Sequence, residues 1–146
     1  MFTIKKTVII NAPVKTVFSF MDDPTNLPEI WPSMVEVKNV RSNSRGWPIY
    51  EWVYKMGGMK FQGEQDTLER TQNKHISTKS TKGMESHFIF DYKDLGDKTE
   101  IVLVVEYTVP VPLVKKLAEQ IVGKLNEHEA DLMLANLKAR LEGESS

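Results

Sequence analysis

From Met34 to Val109 the chain is a long run of strand signals separated by short turn clusters, and from Leu113 to Leu141 the period becomes that of a helix. A run of strands followed by one long helix does not suit a parallel sheet, which needs a crossover element after each strand. It suits an antiparallel meander whose apolar face is covered by that single helix.

The strand signals are local. Phe2 to Ile10 sets Phe2, Ile4, Val8 and Ile10 on one face. Six further strands are expected: Met34 to Arg41, Trp47 to Met56, Met59 to Arg70, His75 to Thr81, Met84 to Lys93 and Thr99 to Val109. Turn residues separate them at Asn43 to Gly46, Gly57-Gly58, Lys82-Gly83 and Leu95 to Lys98. With Gly57-Gly58 as a two-residue turn, Met56 faces Met59 and Tyr54 faces Phe61; the same register sets Lys55 opposite Lys60 and Glu51 opposite Glu64. After the first strand, Pro13 opens a short helix with Val14, Val17, Phe18 and Met21 on one face. Thr25 to Ile30 forms another turn or two before Trp31-Pro32. The expected fold is therefore α+β, a curved seven-stranded antiparallel sheet around a long C-terminal helix, with two short helices after strand one.

On the long helix, Val114, Leu117, Ile121, Leu125, His128, Leu132 and Ala139 share one stripe, and a second stripe of Ala130, Leu134, Leu137 and Leu141 joins it toward the end. The first stripe predicts that Ile121, Leu125 and His128 face the sheet. Gly123 sits on its flank, where it permits a bend or a close approach.

A chain of 146 residues fits one domain, read as residues 1–142 with 143–146 as a loose tail. The formal net charge of −1 argues against a nucleic-acid footprint and against a polybasic membrane anchor. There is no cysteine, so disulfides and thiolate metal sites are excluded. Met1 to Asn11 carries Lys5 and Lys6 in mid-run, unlike a signal peptide, and the longest apolar run, Ile101 to Val105, is far short of a membrane span. A cytoplasmic location is expected, with the chain a monomer or weak dimer.

Tyr50, Trp52, Tyr54, Met56, Met59, Phe61, Phe88, Phe90, Leu103, Val105 and Tyr107 fall on inward strand faces. Together with Leu117, Ile121, Leu125 and His128 they are expected to line a pocket for an apolar small molecule. His128, in mid-stripe, is the candidate donor or proton-transfer group; Glu127 and Glu129, its neighbours along a helix, point away from it. Trp31 is expected to plug one end of the cup, Asp22-Asp23 to cap a turn, and Glu64 and Asp66 to lie solvated on the outer face. His75 and His87 are read as surface residues. No serine carries a Gly-x-Ser-x-Gly elbow, no two histidines have ligand spacing, and Gly57-Gly58 lacks the lysine and helix of a phosphate cradle. No metal and no cofactor is expected. Val109-Pro110-Val111-Pro112-Leu113-Val114 is an apolar corner, read as a tucked connection, with transient membrane contact as the alternative.

The pattern Asn11-Ala12-Pro13, Val17-Phe18, Asp23, Leu27-Pro28 and Trp31-Pro32, followed by Gly96-x-x-Thr99, Tyr107 and a terminal helix ending in Leu137 to Glu142, resembles the START-like superfamily. This is the polyketide cyclase/dehydrase and lipid-transport group with the helix-grip fold, and the opening segment is similar to its coenzyme-Q-binding branch. The resemblance spans nearly the whole chain. It implies a cavity between the concave sheet and the long helix, and a ligand such as a lipid, an isoprenoid or quinone, or a polyketide-like ring. It leaves open a carrier, a cyclase/dehydratase-type enzyme using His128 with Tyr54 or Tyr107, or a protein-interaction module of the chaperone-activator kind. The scarcity of paired polar groups favours the carrier.

Overall fold

Chain order and sheet order nearly coincide. In this computed structural model, which describes residues 2–109, 112, 115 and 118–144, β1 (Phe2–Ile10) leads into α1 (Val14–Met21), a 3-10 turn (Pro24–Asn26) and α2 (Leu27–Ile30). Six strands follow: β2 (Met34–Ser42), β3 (Pro48–Met56), β4 (Met59–Thr71), β5 (His75–Lys82), β6 (Ser86–Asp94) and β7 (Thr99–Tyr107). The long helix α3 spans Glu119–Glu144. The sheet runs β1-β7-β6-β5-β4-β3-β2, every neighbour antiparallel. The α1–α2 segment therefore carries the chain from one sheet edge to the other, and β2 to β7 return as a meander.

Local chemistry explains the turns. Val14, Val17, Phe18 and Met21 are the buried residues of α1. The 3-10 turn begins where Asp23 accepts the Thr25 backbone N–H at 3.0 Å. Gly57 and Gly58 both have positive φ, +58° and +76°, as a tight hairpin turn requires. The register is the expected one: Met56 opposite Met59, Tyr54 opposite Phe61, Lys55 opposite Lys60 and Glu51 opposite Glu64.

The Glu51–Glu64 pair is relieved from β2 and β5. Arg41 reaches Glu64 at 2.5 Å, the Thr81 hydroxyl donates to Glu64 at 2.7 Å, and the Asn39 amide donates to Glu51. Glu64 is consequently buried and paired, a correction to its reading as a solvated residue.

The helix corrects another expectation. α3 packs on β1 and α2 and buries Val122, Ala130, Met133, Leu134, Leu137 and Leu141. Ile121 is half exposed, Leu125 is 38% exposed, and His128 and Ala139 face solvent. The helix is turned by about one residue from the predicted phase. This places the large C-terminal side chains Leu134, Leu137 and Leu141 in the core, each worth roughly 1.5–3 kcal/mol, at the expense of Ile121 and Leu125. Polar ties agree with that rotation: Lys6 of β1 meets Glu127 at 3.7 Å and Asp131 at 3.3 Å, and the Asn136 amide donates to the Ile30 carbonyl at 3.0 Å. Gly143 and Glu144 continue the helix. Val109 is buried, whereas most of the apolar corner after it, like Val114 and Leu117, lies outside the described residues. Among the described residues, no helix is long and apolar enough to cross a membrane.

Candidate functional site

A cavity of about 100 Å³ lies between the concave sheet and α3. Its walls follow from the pleat. Alternate residues of β3, β6 and β7 point inward, bringing Tyr50, Trp52, Tyr54, Phe88, Phe90, Val105 and Tyr107 together on it, as the sequence predicts. The middle strands contribute shorter inward groups, Gln65, Thr67, Thr78 and Ser86, and α3 contributes Asn126, Glu129, Ala130 and Met133. Large rings on two sides and short side chains between them leave the interior unfilled.

The remaining predicted residues are elsewhere. Met56 and Leu103 are buried in the core but do not line the cavity, and Met59 and Phe61 are half-buried against that core. Ile121, Leu125 and His128 are on the solvent side of α3, so His128 is not in the site. Leu117 lies outside the described residues. Trp31, read as an end plug, lines the cavity, as do Asp22, Tyr92, Asn126 and Glu129, none of which sequence reasoning placed there. The α3 group was within reach: stepping back along the helix from Leu141 and Leu137 of the second stripe, through Met133, which that stripe did not include, passes Glu129 and Asn126.

Three polar groupings interrupt the apolar lining. Gln65 accepts from the Trp52 indole N–H at 3.2 Å and donates to the Thr78 hydroxyl at 3.2 Å, so these groups satisfy one another. At α1, Asp22 accepts from Nε and Nη2 of the Arg70 guanidinium at 2.8 Å each, and Arg70 stacks over the Phe18 ring. Beside them the Tyr92 hydroxyl is buried with no hydrogen-bond partner among the described residues. Burial first, then the charges of Asp22 and Asp91, push its pKa up, so it stays a neutral phenol.

The third grouping is under α3. The Tyr54 hydroxyl makes a long 3.4 Å hydrogen bond to Asn126 Oδ1. Trp31 packs edge-on against Tyr54, ring centres 5.6 Å apart, and against Phe88 at 5.3 Å. Its indole N–H is beside Tyr54, and the Tyr107 hydroxyl is beside Asn126, yet among the described residues neither buried group forms a well-made hydrogen bond. Glu129 Oε2 is likewise buried without a partner among them. Burial raises the Glu129 pKa above the ordinary carboxylate value, against weaker pulls from His128 and the Ser33 backbone. Burial also raises Tyr54 and Tyr107, with the Glu129 charge adding to the effect on Tyr54. Chemically, this corner offers neutral hydroxyls, an indole donor and a carboxyl able to exchange a proton closer to neutrality than usual. No cluster of three potential metal-ligating side chains occurs among the described residues.

A sequence profile of the family described as polyketide cyclase / dehydrase and lipid transport matches residues 1–142. No curated protein matches the chain. Among solved structures it is similar to a START superfamily protein from Mycobacterium smegmatis, at 20% identity and a TM-score of 0.82 over 97% of each chain. It is similar to a protein from Thermus thermophilus, at 21% identity and a TM-score of 0.77 over 99% of this chain and 100% of the other. It is also similar to the Zhui aromatase/cyclase from Streptomyces sp. R1128, at 15% identity and a TM-score of 0.78 over 99% and 96%. At these identities the likeness is one of fold.

Proposed function

The chain belongs to the polyketide cyclase / dehydrase and lipid transport family, and on that premise we propose that residues 1–142 form one domain that binds or carries an apolar small molecule in the cavity under α3. The guest is a lipid, an isoprenoid or quinone, or a polyketide-like ring. The observation that carries this reading is the cavity itself, an interior void walled by Tyr50, Trp52, Tyr54, Phe88, Phe90 and Tyr107 with few polar groups aimed into it.

Size limits the guest. The void of about 100 Å³ is smaller than the roughly 150 Å³ apolar cavity that admits benzene. This conformation therefore takes a compact ring or one end of a longer molecule, and a bulkier guest requires α3 to move away from the sheet. Burying on the order of 200 Å² of apolar ligand contributes about 5 kcal/mol before the costs of association, which supports binding in the millimolar range for a guest of this size. A bulkier guest, seated once α3 has moved, buries more surface and binds more tightly, so protein purified from its own host should carry an apolar molecule, read by native mass spectrometry and solvent extraction. A preparation with nothing extractable, and no binding of small aromatic probes, overturns the reading.

One observation favours a second reading, a cyclase/dehydratase-type enzyme. The carboxyl of Glu129 has a raised pKa, acts on the Tyr54 hydroxyl and lines the same cavity as Tyr107, so it takes the acid/base role that the exposed His128 does not fill. The similar aromatase/cyclase shares the fold in which such chemistry is performed. A carrier keeps its function in Glu129→Gln, whereas an enzyme loses turnover and retains binding.

A further inference from the structure

Three buried polar atoms under α3 that form no well-made hydrogen bond among the described residues make a set with a definite chemistry. Trp31 Nε1 can only donate, the Tyr107 hydroxyl donates or accepts, and an ionised Glu129 Oε2 can only accept. Buried groups of this kind normally have partners, so their common orphaning beside one cavity points to a guest that completes them. They are linked through Tyr54, whose hydroxyl reaches Asn126 at 3.4 Å and whose ring meets Trp31.

Resting on the reading of the cavity as a site for an apolar molecule, we propose that this corner selects a neutral hydroxyl, an alcohol or a phenol, on the end of that molecule. The hydroxyl donates its proton to Glu129 Oε2 and accepts from the Trp31 indole N–H and the Tyr107 hydroxyl. A hydroxyl has one donor and two acceptor positions, the complement of this set. A ketone accepts but leaves Glu129 unmatched. An ammonium donates but leaves the Trp31 N–H unmatched. A carboxylate brings a second negative charge beside Glu129 in a poorly solvated site. A hydrocarbon leaves all three atoms unpaired.

The test compares four small probes, phenol, toluene, benzoate and benzylammonium, by following amide signals of the full chain in NMR titrations at neutral pH. Phenol and toluene have nearly the same shape, so their difference isolates the hydroxyl. Phenol is expected to bind at least about tenfold more tightly than toluene, and more tightly than either ion. In Glu129→Leu and in Tyr107→Phe the phenol preference should fall to roughly threefold or less while toluene binds at least as well as before. Retained toluene binding shows that the cavity is intact in each variant. Equal binding of phenol and toluene to the unaltered protein, a preference for either ion, or an unchanged phenol preference in both variants overturns the proposal while the apolar site stands. Absence of binding by all four probes overturns the site and the proposal together.

Discussion

Trp52 lays its indole against the Cα of Gly63, its cross-strand partner, in the space where a side chain on residue 63 would stand. A Cβ built at Gly63 would overlap the Trp52 ring and come within 2.5 Å of the Lys82 carbonyl oxygen. The backbone oxygen has no room to retreat without breaking the β4–β5 pairing, and the indole is fixed by its 3.2 Å bond to Gln65. Gly63→Ala should therefore cost about 1–3 kcal/mol, the usual range for forcing extra volume into a packed interior. Urea denaturation gives the cost, and a change in tryptophan fluorescence would report movement of Trp52. A variant as stable as the parent would mean that the strands yield more easily than this packing allows.

Gly123 should behave in the opposite way. It sits inside α3, and among the described residues a Cβ there would meet the Phe2 ring, at 3.6 and 3.8 Å, ordinary contact distances. The close approach suggested by the sequence is not one that needs glycine. Gly123→Ala should stabilise the protein by about 0.5–1 kcal/mol, because alanine restricts the unfolded chain and favours the helix. A rise in the urea midpoint at constant slope is the expected signature, and a fall would show that the helix must flex at this point.

The strands were legible because their inward residues are mostly apolar and recur at every second position, as Tyr50, Trp52 and Tyr54 do, or Phe88 and Phe90, even where Val53 and Ile89 stand between them. The register at Gly57-Gly58 followed from two glycines that tolerate positive φ. The phase of α3 was not legible for a physical reason. Its cavity-facing side carries Asn126 and Glu129, so apolar periodicity does not mark the very face that builds the site. Ile121, Leu125 and Leu132 supply a competing stripe, and only the core volume filled by Met133, Leu137 and Leu141 decides between the two. Gln65, Thr67 and Thr78 escaped for the same reason, being polar residues that point inward. The resemblance through Asn11-Ala12-Pro13 and Gly96-x-x-Thr99 gave the fold but no polar lining; Thr99 itself is fully buried and ties β7 to Ala12 by a 2.8 Å hydrogen bond.

The Arg70–Asp22 pair should depend on the shape of the guanidinium as well as its charge. Both Asp22 oxygens are engaged at 2.8 Å, and the guanidinium lies over Phe18 with its carbon 5.2 Å from the ring centre. Lysine keeps the charge but loses the two-pronged geometry and the flat stacking surface. Arg70→Lys is expected to cost about 1 kcal/mol, and Arg70→Ala about 2 kcal/mol or more, since it leaves a partly buried carboxylate unpaired. Thermal denaturation of both variants checks the order. Equal losses in the two would mean that only the stacking or the paired geometry matters, and no loss in either would remove the pair from the stability of this end of the cavity.

His75 should give stability a pH window that is independent of the cavity. Its Nδ1 is 2.6 Å from Asp91 and its Nε2 is 3.0 Å from Glu69, which also accepts from the Ser77 hydroxyl at 3.0 Å. Burial draws the imidazole pKa down, but the bonds to the two carboxylates outweigh it and leave the value above 6.5. A histidine whose folded pKa is raised contributes stability that is complete below its unfolded pKa and disappears as pH rises through the folded one. Glu69 runs the other way: its hydrogen bonds to His75 and Ser77 hold its pKa below 4.5, so its contribution is lost as pH falls through that lowered value. The two limbs together place the greatest benefit between the lowered pKa of Glu69 and the raised pKa of His75. Relative to His75→Gln, the unaltered protein should show its largest advantage in urea near pH 5 to 6, an advantage that shrinks toward pH 8.5 as the imidazolium is lost. An advantage that grows with pH would mean that the imidazole is held neutral in the native protein and that the two carboxylates do not stabilise its charge.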